Sequence, residues 1–171
     1  MSALRFLKRE DATSGVSSLN VTDVFSSDYE VYKIIWDNWS LTGAAGWVDL
    51  RFIGESDSVL LDANYCGAHL DINSSSGSGT HQSANQTYFD RGLVYNNSTT
   101  GAAQEAWIYN PYADDRYTTV IASTRNDAGS GDSGDYKLLS FKNVARVTGI
   151  QAVQRSGYNS CISIICIRII Y

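Results

Sequence analysis

Short runs rich in β-branched and aromatic residues recur along this chain, and clusters of Gly, Ser, Asn and Asp separate them. No window sustains apolar residues at the i, i+3, i+4, i+7 spacing of an amphipathic helix. About ten short strands with this spacing are typical of a sandwich or barrel. We therefore predict an all-β fold of two packed antiparallel sheets, with helix below roughly 10% of residues. The strand-like runs fall at 4–7, 17–25, 30–36, 47–53, 65–72, 93–95, 106–109, 117–123, 136–144, 149–154 and 160–171.

The run 47–53 alternates apolar and polar residues, so it predicts which side chains face the core. Val48, Leu50 and Phe52 are expected to point inward, and Asp49 and Arg51 to point outward.

Three segments made of small polar residues, 73–87, 96–104 and 124–135, carry no strand signal. They are predicted to be long exposed loops of a single domain covering residues 1–171. Asp127, Asp132 and Asp135 in the last of them offer oxygen ligands for calcium, but the order of an EF-hand loop is absent. A flexible hairpin loop is the expectation there.

Charged residues make up 18% of the chain, and the net charge is −5. An acidic chain of this kind repels phosphate backbones, so no nucleic-acid partner is expected. No apolar run reaches the roughly 18 residues of a membrane helix, and the N-terminus lacks the apolar stretch of a signal peptide. Synthesis in a cytosol without membrane insertion is predicted.

The C-terminal run 160–171 is apolar on both of its alternating faces. One face of such a strand packs on the core, and the other is covered either by a loop of the same chain or by another subunit. Residues 1–18 are a second candidate for an extended docking segment. A homo-oligomer is therefore predicted, with a trimer as the first expectation. The candidate interface residues are Leu4, Phe6, Leu7, Ile165, Ile167, Ile169 and Tyr171.

Catalytic and metal-binding signals are weak. His69 and His81 are the two histidines of the chain, and no nucleophile elbow or zinc-type spacing accompanies them. His81 is expected in solvent and His69 in a packed or half-exposed position. We predict no enzyme activity, no catalytic or metal site and no cofactor.

Aromatic residues near loops offer a surface on which sugar rings stack. Trp39 is the best exposed candidate, and Tyr88 and Tyr112 flank loops. Trp36 and Trp47 lie in strand-like runs and are expected in the core.

The opening LRFLKREDATSGVSSLNVTDVFSSDYEVYKIIW, with its segment from Phe25 to Ile34, resembles single-domain β-sandwich virion structural proteins of tailed phages, particularly marine ones. The apolar C-terminal strand ending in an aromatic residue also resembles these proteins. The resemblance implies a jelly-roll-like sandwich, no catalysis and ordered self-association.

Function follows from that resemblance as an expectation. The first hypothesis is a capsid-surface decoration or cement subunit in a virion, with the major capsid protein as a partner. The alternative is a tail-fibre, knob or receptor-binding subunit that recognises a cell-surface glycan. A third hypothesis, a glycan-acting enzyme, requires a cleft holding two close carboxylates.

Overall fold

The computed structural model describes residues 3–42, 46–74, 77–93, 95–96, 102–127, 132–154 and 159–170. These residues confirm the all-β prediction, since their one helical element is the 3-10 turn Glu55–Asp57. No helix in these ranges is long and apolar enough to cross a membrane. The strands are β1 (Ala3–Val16), β2 (Ser18–Val21), β3 (Val31–Thr42), β4 (Gly46–Gly54), β5 (Tyr65–Asn73), β6 (Gly77–Gln86), β7 (Tyr95–Asn96), β8 (Ala102–Tyr109), β9 (Thr118–Asp127), β10 (Asp132–Phe141), β11 (Val147–Gln154) and β12 (Asn159–Ile170).

Two antiparallel sheets form the sandwich. The long sheet has the order β1-β12-β3-β8-β9-β10-β5-β6, and the short sheet has the order β2-β11-β4. The two-residue strand β7 pairs antiparallel with β4 and makes one parallel pair with β9, so it links the sheets at one edge.

The connectivity is that of a jelly roll. Strands β1, β12, β3 and β8 lie side by side in one sheet, while β2, β11, β4 and β7 lie side by side in the other. Two interleaved Greek keys that divide eight strands in this way define the jelly-roll topology. The jelly-roll-like fold expected from the sequence is therefore confirmed.

Two hairpins are inserted into this jelly roll, and they lengthen the long sheet on one side. Hairpin β5–β6 follows β4, and hairpin β9–β10 follows β8. Strand β9 pairs with β8, and β10 pairs with β5, so the two hairpins form one four-stranded extension, β9-β10-β5-β6. We call these four strands the extension.

The extension corrects the prediction of long polar loops. Most of the segment 73–87 is strand β6, and the segment 124–135 supplies the end of β9 and the start of β10. The segment 96–104 likewise contains the start of β8. Sheet hydrogen bonds join backbone groups, so a small polar run becomes a strand once a neighbouring strand supplies partners. Most of residues 1–18, suggested as a docking segment, form the edge strand β1, which pairs with β12.

The core lies between the sheets and continues under the extension. Val48, Leu50 and Phe52 point inward as predicted, and Trp36 is buried. Asp49, which was predicted to face out, is nevertheless buried, because its carboxylate accepts a hydrogen bond from the Arg91 amide of residues 89–93. The ring cluster at the junction of jelly roll and extension consists of Phe52, Tyr65, Phe89 and Phe141.

Gly149 gives a test of the sandwich packing. A methyl group at this position would meet the carbonyl oxygen of Val21 in the neighbouring strand β2. We expect Gly149→Ala to lower the free energy of unfolding by about 2–3 kcal/mol, as overpacking does. The measurement is urea denaturation, with Gly79→Ala as the control because open space surrounds Gly79. A control shift above about 0.5 kcal/mol, or an equal shift in both variants, would contradict this packing.

Candidate assembly face and a buried ionisable cluster

One register row crosses the whole long sheet on the face turned away from the core. Directly opposed residues of neighbouring antiparallel strands lie on the same face, so the pairing places them in a line. We call this line the outer stripe, and the face that carries it the outer face. In strand order the side chains of the stripe are those of Phe6, Lys33, Trp107, Ile121, Leu138, Ala68 and Gln82, and the backbone of Ile167 occupies the same row between Phe6 and Lys33.

Large apolar side chains stand in solvent along this outer face. Phe6 is 60% exposed and Leu138 is 52% exposed. In the neighbouring row Tyr136 and Leu70 oppose each other, and both are also exposed. A shallow groove of about 820 Å³ runs over the extension part of the face and includes Leu138 in its lining. Leu70, Tyr136 and Leu138 adjoin one another on the extension, and exposed apolar surface of this kind marks an interaction site.

Charges near the outer stripe are paired within the chain. The Lys33 ammonium lies 2.6 Å from the Glu105 carboxylate, and the Arg9 guanidinium lies 2.8 Å from Asp11. If two molecules dock through their outer faces, these paired groups therefore contribute little like-charge repulsion.

The predicted interface residues have different outcomes. Leu4 and Phe6 are exposed on the edge strand β1. Leu7 is instead half-buried and packs against the core, because the register of β1 shifts between Phe6 and Lys8. The side chains of Ile165, Ile167 and Ile169, and residue Tyr171, lie outside the described part of the structure.

The predicted sugar-stacking residues are scattered. The side chain of Trp39 lies outside the described residues, although its backbone belongs to β3. Tyr88 is half-buried with the Arg51 guanidinium 5.6 Å from its ring centroid. Tyr112 is also half-buried, with Arg146 at 5.7 Å. In each tyrosine, an arginine therefore already occupies one of the two ring faces on which a sugar could stack.

Tyr112 nevertheless lines a small cavity of about 170 Å³ at the end of the sandwich. The cavity also has Tyr29, Asn110 and Arg116 in its wall, which combines aromatic rings with hydrogen-bonding groups. It is below the roughly 300 Å³ of a typical ligand pocket, so it suits one small polar group.

The inner face of the extension holds a cluster of charged side chains that sequence reasoning missed. Residues 89–93, which we call the strap, cross this face and complete the cluster. We call this group of charged side chains the ionisable cluster. Its members are Asp49, His69, Asp71, His81, Asp90, Arg91, Asp135 and Lys137.

Lys137 is the centre of the cluster and is fully buried. Its ammonium group lies 3.3 Å from Asp135, donates to the Leu93 carbonyl and faces the Trp47 ring at 5.5 Å. Burial lowers the pKa of Lys137 to about 8, while the Asp135 carboxylate opposes that shift. A cation this deep depends on its partners, because removing one carboxylate leaves the charge uncompensated.

His69 lies beside Lys137 and is only 4% exposed. Neither ring nitrogen has a hydrogen-bond partner among the described residues, and its ring meets that of His81 at 5.5 Å. Burial, with the nearby Lys137 charge, lowers the pKa of His69 to about 4. His69 is thus packed, as one predicted alternative had it. The solvent position predicted for His81 is wrong, because His81 lies in β6 and contacts Asp90 at 2.9 Å.

Asp71 and Asp135 oppose each other in register on neighbouring strands. Burial, and then the Asp135 carboxylate, raise the pKa of Asp71.

No group of three or more His, Cys, Asp or Glu side chains in the described ranges is arranged to hold a metal ion. Asp135, one of the three candidates for calcium, is buried beside Lys137. The cluster could not be foreseen from local patterns, because it forms only when β5, β6, β10 and the strap come together.

Comparisons with known proteins do not assign this chain to a family. No protein-family model and no curated protein matches this chain. Among solved structures, the CBM2 module of the evolved Dit of Lactobacillus casei BL23 phage J-1 is 12% identical, covering 86% of this chain and 69% of its own, with a TM-score of 0.14. An aerolysin-like protein of Bombina maxima is 10% identical, covering 94% and 96%, with a TM-score of 0.10. Neither similarity carries an argument about fold or function.

Lys137→Met tests the ionisable cluster. The substitution keeps the volume but leaves Asp135 buried without its cation, so we expect the free energy of unfolding at pH 7 to fall by about 3–5 kcal/mol. Lys33→Met is the matched control, because Lys33 pairs with the half-exposed Glu105 and should cost under about 1 kcal/mol. Chemical denaturation of both variants measures the difference. Equal losses in the two would show that Lys137 has no special structural role.

Proposed function

We propose that this chain is a non-enzymatic structural subunit that assembles through its outer face, as a capsid-surface decoration subunit of a phage virion. The observation that carries the proposal is the outer stripe, with its exposed Phe6 and Leu138 at register positions of one continuous sheet. Jelly rolls occur in capsid proteins, lectins and cupins, so the fold alone does not select a function.

The size of the face supports assembly. Eight strands about 4.8 Å apart span about 34 Å, and four register rows span about 20 Å along the strands. The resulting area of roughly 700 Å² is close to the ~800 Å² that each partner contributes to a standard interface. Because the charges beside the stripe are already paired, we assign a neighbouring copy of this chain as the partner of the face. The major capsid protein is the proposed support on which these copies dock.

The energy of the contact comes from apolar burial. Leu70, Ile72 and Leu138 are each about half exposed. Burying the remaining surface of each contributes about 1 kcal/mol. The exposed Phe6 at the other side of the same sheet extends the contact to β1, which agrees with the interface expected from the sequence.

Leu138→Asp tests the proposed face. The charge would stand in the middle of the outer stripe, so we expect at least about tenfold weaker self-association, the equivalent of about 1.4 kcal/mol. Sedimentation velocity over a range of concentrations measures it. The matched control is Gln82→Asp, which adds the same charge in the same row but on the exposed polar edge strand β6.

The control should associate like the unmodified chain. A chain that stays monomeric at about 100 μM, or equal loss in both variants, would contradict self-assembly through this face. Absence of the chain from purified virions of the phage that encodes it would contradict the virion role alone.

A second candidate is the receptor-binding role, favoured by the small cavity beside Tyr112. Its aromatic and polar lining is suited to one sugar unit of a glycan.

Tyr112→Ala tests that candidate. The substitution removes a wall of the cavity, so glycan binding measured on an array should fall by at least about tenfold. Tyr117→Ala is the control, because Tyr117 is exposed and is not part of the cavity lining. No glycan bound by the unmodified chain, or equal loss in both variants, would remove this candidate.

A further inference from the structure

The outer face is divided by side-chain size into two halves. On β1, β3 and β8, most side chains in the outer stripe and in the row on one side of it are bulky. We call this part of the face the bulky half. Its bulky side chains are Leu4, Phe6, Val31, Trp107 and Tyr109.

The other half of the face, on β9, β10, β5 and β6, contains the groove of about 820 Å³. Beside the stripe, Tyr109, Thr119, Ser140 and Cys66 oppose one another in register from β8 to β5. A row that is bulky on one half is therefore small on the other. The small side chains of this face that line the groove are Cys66, Ala68, Ala84, Thr119 and Ser140.

Two copies can meet through this face about a two-fold axis that lies between their sheets, as in isologous dimers. An axis along the strands, between β8 and β9, places the bulky half of each copy over the groove of the other. An axis across the strands instead places each strand over the same strand of the second copy. Side-chain size and charge both distinguish these two arrangements.

The axis along the strands gives the better steric fit. Near the axis, Tyr109 of one copy lies over Thr119 of the second copy, since these residues oppose each other on β8 and β9. Farther out, β1 lies over hairpin β5–β6, so the exposed Leu4 and Phe6 stand above the groove. Side chains of packed sheets interdigitate, so bulky residues over small ones fill such a groove without leaving a void.

Charge favours the same axis. With the axis along the strands, Lys33 lies over Leu138 of the second copy, and its partner Glu105 lies over Ser123. An axis that crosses the strands at the stripe would instead bring the two Lys33 ammonium groups together and lay one groove over the other. Like charges that face each other oppose association, and facing grooves lose the contacts that fill a void.

We propose that two copies of this chain form a two-fold dimer in which Leu4 and Phe6 of each copy fill the groove of the other. This dimer rests on the assembly through the outer face proposed above and specifies its geometry. Because the contact occupies the whole outer face of both copies, it closes at two copies rather than at the trimer expected from the sequence.

Cysteine crosslinking of the full chain tests the dimer, because the free thiol of Cys66 already lies in the groove. In Leu4→Cys, a bifunctional maleimide that spans about 10–15 Å, slightly more than the distance between packed sheets, should join position 4 to Cys66 of the second copy. Within one chain β1 and β5 are six strand spacings apart, about 29 Å, so the reagent cannot join these positions there. We expect a covalent dimer, and mass spectrometry of its digest should identify the two joined peptides.

Adding Cys66→Ser to Leu4→Cys is the control and should abolish this link. A second variant, Phe6→Cys with Cys66→Ser, should give no link between the two copies of position 6, because these lie at opposite ends of the face, about 34 Å apart. Sedimentation velocity of the unmodified chain at the same concentration measures its association and should show a dimer.

The outcomes separate this dimer from the proposed function. A chain that associates without the link from position 4 to Cys66, that links position 6 to position 6, or that forms a trimer would overturn the dimer and leave assembly through the outer face standing. A chain that stays monomeric would contradict the proposed assembly, and the dimer with it.

Discussion

The hydrogen bond that the buried Lys137 ammonium donates to the Leu93 carbonyl joins the added hairpins to the strap, and Asp135 on the same strand compensates the lysine charge. Lys137 reaches from the extension to the Leu93 carbonyl of the strap, and the strap in turn packs Phe89 into the aromatic core beside β4. A lysine stem covers apolar surface while its charged end satisfies backbone and carboxylate partners. The extension lies in one sheet with β8 because β9 pairs with β8 along its length, and the outer stripe therefore runs across it without a break.

The two faces of the extension have different chemistry for this reason. Its inner face meets the strap through charged and polar groups. Its outer face carries the exposed side chains of Leu70, Tyr136 and Leu138, which lie on the opposite side of the sheet from the ionisable cluster. Strand β6 closes the extension with small exposed polar residues, which is how natural sheets protect a free edge from pairing.

The sequence predicted those parts of the fold that depend on local alternation. The inward direction of Val48, Leu50 and Phe52 follows from side-chain periodicity within a single strand. Strand β6 was not predicted, because its pairing partner β5 supplies the stability that its own residues lack. Asp49 was placed outward for the same reason, since alternation carries no information about a strap arriving from residues 89–93. The ionisable cluster and the outer stripe both depend on register between distant strands, which local patterns do not encode.

A high-resolution structure of the assembled form tests the assembly account most directly. The account predicts that Phe6, Trp107 and Leu138 are buried together against a neighbouring copy. An assembled form in which this row of side chains faces solvent, and the copies meet through other surfaces, would contradict it.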